Sequence, residues 1–139
     1  MQEFIQSIAK QLGVDEAVAE KAASIVLSFI KSKLASSDFG SLAAQIPGLS
    51  DLAEKGEKAG SGDAGGLLGG MMKMASSAIG GETGDTIELA GKLKESGLDI
   101  GQLGTFGTKL LDFIKDKAGD GTVDMILSQL PELKKILGQ

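Results

Sequence analysis

Apolar residues recur at helical spacing from the first residues onward. Phe4, Ile5, Ile8 and Leu12 fall on one helical face, and Gly13 follows as a stop, so Gln2 to Leu12 is expected to be a short helix. From Asp15 to about Leu34 a longer helix is expected, with Val18, Ala22, Ile25 and Phe29 down one face and Val26, Ile30 and Leu34 widening it. Glu16, Glu20, Ser24, Ser28 and Lys31 make a polar stripe opposite, while Ala19 and Ala23 permit close approach of a neighbour. An apolar arc this wide implies a helix touched from more than one side, the central helix of its half. Ser36, Ser37 or Asp38 is placed to cap a third helix carrying Phe39, Leu42, Ala43 and Ile46. Pro47 closes it by pushing Ile46 out of the α region, and Leu49 and Leu52 pack a further short turn.

The pattern breaks between Gly56 and Gly84, where ten of twenty-nine residues are Gly. This stretch reads as a linker with an apolar island, Leu67, Leu68, Met71, Met72, Met74 and Ile79. Helical spacing then returns. Ile87, Leu89, Ala90 and Leu93 lie on a helix ending near Gly97, and a long helix from Asp99 to about Ala118 carries Ile100, Leu103, Phe106, Leu110, Phe113 and Ile114. Asp120-Gly121-Thr122 is expected to turn the chain into a third helix with Val123, Ile126, Leu127 and Leu130, completed after Pro131 by Leu133, Ile136 and Leu137. No segment alternates with period two, so the expected fold is all-α.

The chain is also written twice. Laid over each other at a shift of eighty-four residues, Leu12 to Leu52 and Ser96 to Ile136 are identical at Gly13/Gly97, Asp15/Asp99, Leu27/Leu111, Phe29/Phe113, Ile30/Ile114, Lys31/Lys115, Lys33/Lys117, Gln45/Gln129, Pro47/Pro131 and Leu49/Leu133. Conservative pairs such as Val26/Leu110, Leu42/Ile126 and Ile46/Leu130 fill the gaps. The expectation is one helical domain of two sequence-related halves, about 1–55 and 85–139, joined by the Gly-rich segment at about 56–84. Neither central helix could bury its arc alone, so the halves should share a core.

Composition removes most of the usual chemistry. There is no Cys, His, Arg, Trp, Tyr or Asn among the 139 residues, which withdraws thiolates, the commonest general base and metal ligand, and guanidinium phosphate clamps. A net charge of -5 with scattered lysines offers no basic patch for nucleic acid, and the five Phe read as core. Met1 leads directly into the amphipathic pattern, without a basic n-region or long apolar h-region, so a cytoplasmic location is expected, although a leader removed earlier would leave the same residues. The weakly charged stretch from Gly65 to Gly81 is too short and too rich in Gly and Ser to span a membrane.

Four motifs have chemical counterparts elsewhere. Gly60-Ser61-Gly62-Asp63-Ala64-Gly65 fits a dinucleotide fingerprint, yet no strand precedes it, so it reads as linker. Ser7-Ile8-Ala9-Lys10 and Ser28-Phe29-Ile30-Lys31 fit S-x-x-K without its companion motifs and read as solvated helix faces. Asp112, Asp116, Asp120 and Asp124 gather near a turn, but an EF-hand begun at Asp116 would place Ala118 and Leu127 at liganding positions, so capping and solvation are favoured over calcium. Lys31, Lys33, Lys115 and Lys117 stand at the ends of the two central helices, where they complement the helix dipole; an anionic partner bridging both halves is the sharper alternative. No catalytic, cofactor-binding or metal-binding residue is assigned.

The opening Phe4-Ile5-Gln6 with Leu12-Gly13-Val14, then Asp38-Phe39-Gly40 with Ile46-Pro47-Gly48-Leu49, resembles the VcgC/VcgE-like bacterial family of uncharacterised proteins. Gly66-Leu67-Leu68-Gly69-Gly70, Lys117-Ala118-Gly119 and Leu130-Pro131-Glu132-Leu133 extend the resemblance over most of the chain. It implies a small helical protein without an assigned activity, so no site residues follow from it. The functional expectation is a non-enzymatic protein-interaction or self-assembly protein. Its candidate surface is Leu67, Leu68, Met71, Met72, Met74 and Ile79, because Met side chains adapt to varied apolar partners. The alternative is a carrier holding a lipid or other apolar ligand between the halves.

Overall fold

A computed structural model describes residues 1–60, 89 and 91–136, and every regular element among them is an α-helix. Helix α1 (Gln2–Leu12) buries Phe4, Ile5, Ile8 and Ala9 and ends at Gly13 in the left-handed conformation (φ 67°). The Gly13 and Val14 amides both donate to the Ala9 carbonyl, which satisfies an acceptor the helix end would otherwise strand.

Helix α2 (Glu16–Lys33) starts after Asp15 and buries an unbroken run from Ala22 to Leu27. Ser24, expected on the polar stripe, is only 3% exposed. The reason is helix α4. The chain turns after α2 into α3 (Ser36–Gln45), whose N-cap is Ala35 without a side-chain bond, so neither Ser36, Ser37 nor Asp38 caps it from that position. Ile46 is extended ahead of Pro47, as the proline demands, and α4 (Leu49–Gly60) follows.

The expected short turn at Leu49 and Leu52 is thus a twelve-residue helix, and it continues through Gly56, where the linker was expected to begin. A Cβ built on Gly56 would lie 2.0 Å from the Ser24 carbonyl oxygen and 3.0 Å from the Ser28 Cβ. The two helices therefore meet almost backbone to backbone, an approach only glycine permits. Fully buried Ala53 extends the same small-residue stripe. Ser24 and Ser28 tolerate burial because their hydroxyls donate to the Lys21 and Ile25 carbonyls of their own helix.

Residues 91–95 are helical and place Leu93 in the core, with Leu89 and Leu98 buried on either side. Gly97 (φ 110°) makes the turn into α5 (Ile100–Ala118). Asp99 and Gln102 form a reciprocal capping box at its start. Gly119 (φ 90°) alone separates α5 from α6 (Asp120–Gln129), so Asp120-Gly121-Thr122 is a first helical turn and not the loop expected. Helix α7 (Pro131–Ile136) begins on a proline, whose missing amide costs nothing there.

Helix α1 contacts both long helices: the Phe4 ring lies 5.1 Å from that of Phe113 and 6.1 Å from that of Phe106, edge-on to the latter. One buried cluster runs from Phe4 through Ile30 and Leu42 to Phe106, Ile114, Ile126 and Leu133. Positions eighty-four residues apart take similar places in it. Ile30 and Ile114 are enclosed, the Ile46 and Leu130 amides each close a helix on Leu42 and Ile126, and Lys33 and Lys117 each sit about 6 Å from the Phe29 and Phe113 ring centres. Beyond residue 60 the Gly-rich segment lies outside the described residues.

Candidate functional site

The small-residue face of α2 is where the chain shows how it receives a helix. Gly56 and Ala53 of α4 lie along it, and the contact is flanked by ion pairs, Lys55 to Glu20 at 2.6 Å and Lys31 to Glu57 at 3.0 Å. The hydrogen bond and charge of Glu20 raise the Lys55 pKa above its ordinary value.

The counterpart on α5 is a different surface. Thr108, Leu111, Asp112 and Lys115 stand eighty-four residues after Ser24, Leu27, Ser28 and Lys31, and with Asp120, Val123, Asp124 and Leu127 of α6 they line an open groove of about 230 Å³. No described helix lies along it. Its floor holds half-buried Thr108, Val123 and Leu127, whereas Ser24 is buried beneath α4. Three carboxylates stand on its rim where the α2–α3 side has Ser28, Ser36 and Gly40. Lys115 reaches Asp120 at 2.8 Å, and that hydrogen bond first, then the charges of Asp120, Asp112 and Asp124, raise its pKa.

Two larger clefts, of about 400 and 480 Å³, meet around Met1, Gln2 and Pro47. Ile5 and Leu52 line the first; Ile46 and Phe113 line the second, beneath Lys117.

The serine and lysine motifs do not form reacting pairs. Ser28 donates to its own helix while Lys31 is held by Glu57, and Ser7 and Lys10 are both exposed on α1. Among the described residues no group of three or more His, Cys, Asp or Glu is placed to hold a metal ion, and no helix is long and apolar enough to cross a membrane. Lys31 and Lys115 are engaged in ion pairs in addition to standing at helix ends. The candidate surface Leu67, Leu68, Met71, Met72, Met74 and Ile79 lies outside the described residues.

Sequence periodicity assigned Val123 and Leu127 to a core face and missed the groove. The available signal was the row of Asp residues replacing Ser28, Ser36 and Gly40 in the second copy of the pattern, since three added charges are unsuited to a face covered by an acidic helix such as α4.

Taken together, these features define an all-α protein in which α4 packs on a small-residue face of α2 and no described helix lies along the counterpart groove of α5 and α6. The chain belongs to the family described as protein of unknown function VcgC/VcgE, whose model matches residues 1–131. No curated protein and no solved structure matches it.

Proposed function

We propose that this protein is a non-enzymatic interaction or self-assembly protein built from two related helical halves. The observation that carries the reading is the pair of equivalent faces: the one on α2 is covered by α4, and the one on α5 and α6 presents Val123 and Leu127 half-buried in a groove. The two-half architecture is supported by the matched roles of Ile30 and Ile114, Ile46 and Leu130, and Gly13 and Gly97, which has positive φ in both cases. The Met-rich island remains a second candidate surface on its sequence alone, and a cytoplasmic location remains part of the proposal.

The alternative, a carrier of an apolar ligand, draws on the clefts around Met1 and Pro47, whose volumes suit a small molecule. Native mass spectrometry of the full chain purified from its own host separates the two readings. A specific oligomer or a stoichiometric protein partner is expected. A discrete small-molecule mass on the monomer would favour the carrier, and a bare monomer at every concentration would count against both.

A further inference from the structure

We draw no further inference here: the strongest candidate, the pair of clefts between the start of α1 and the α3–α4 turn around Met1 and Pro47, belongs to the site already described, and with Glu3, Glu20 and Asp51 set among Lys55 and Lys117 on its walls it selects no ligand chemistry beyond the apolar ligand of the carrier reading.

Discussion

Gly56 of α4 rests on the main-chain carbonyl of Ser24, so close that an added Cβ would fall 2.0 Å from its oxygen. In an exposed helix Gly→Ala is stabilising by about 1 kcal/mol, because glycine loses more backbone entropy. At Gly56 the sign should reverse. Gly56→Ala is expected to destabilise the protein by about 1–3 kcal/mol, as overpacking does where backbone must shift, and urea denaturation followed by circular dichroism measures it. An unchanged or raised midpoint would mean that α4 does not cross α2 at this point.

Phe4 is the side chain through which α1 touches both Phe106 and Phe113 of α5. Phe4→Ala removes the edge-on contact and leaves a void between elements, so a loss of about 3–5 kcal/mol is expected. Near-ultraviolet circular dichroism should weaken with it, since with no Trp or Tyr the five Phe carry the aromatic signal. A cost under about 1 kcal/mol would show that α1 is not packed on α5.

Gln102 serves two elements at once: its carbonyl oxygen accepts from the Asp99 amide at 3.2 Å, and its side-chain nitrogen donates to the Leu12 carbonyl at 2.8 Å. The second bond joins the start of α5 to the end of α1. Val18, at the matching position of α2, in turn packs against Gly97, where an added Cβ would lie 3.2 Å from its methyl. Gln102→Ala should cost about 1–2 kcal/mol, more than an ordinary cap, and Gln102→Glu should not restore the loss because it cannot donate to Leu12. Paired urea curves for the two variants decide this.

The alkaline limb of stability should come from lysines. Lys55 and Lys115 have pKa values raised in the folded state by Glu20 and Asp120, so their pairing stabilises fully below the ordinary value of 10.5 and is lost as pH climbs through the raised values. The chain has no His, Cys or Tyr to titrate on the way. Stability from neutral pH to about pH 9 should therefore be nearly flat, then decline above it. Lys55→Met and Lys115→Met should flatten that decline; thermal melts at stepped pH measure it, and an unaltered decline would contradict the assignment.

Much of the helix layout was legible because its signals are local. Gly13 stops α1 and Pro47 stops α3 where their backbone preferences say they must, and Phe4, Ile8, Ile30 and Ile114 are buried as their spacing requires. Misreadings arose where a residue type has two physical uses. Glycine weakens helices, so Gly56 reads as a break, but close tertiary contact with Ser24 decides otherwise. Spacing puts Ser24 and Ser28 on the polar stripe, yet a serine that bonds its own helix can sit under a small neighbour, Ser24 buried and Ser28 half-buried. The Asp120-Gly121-Thr122 turn failed because Gly119, at φ 90°, reverses the chain by itself. The groove could not be read from spacing, since periodicity gives Val123 and Leu127 a face without saying what covers it.

The most direct test compares solvent access at the two equivalent positions, Ser24 beneath α4 and Thr108 in the groove. The chain contains no Cys, so Ser24→Cys and Thr108→Cys each carry a single thiol. Labelling of the isolated folded protein should be at least about tenfold faster for Thr108→Cys, because the thiol at position 24 reacts only when α4 lifts from α2. Equal rates, or the reverse order, would contradict the account in which α4 covers the first face and no described helix covers the second.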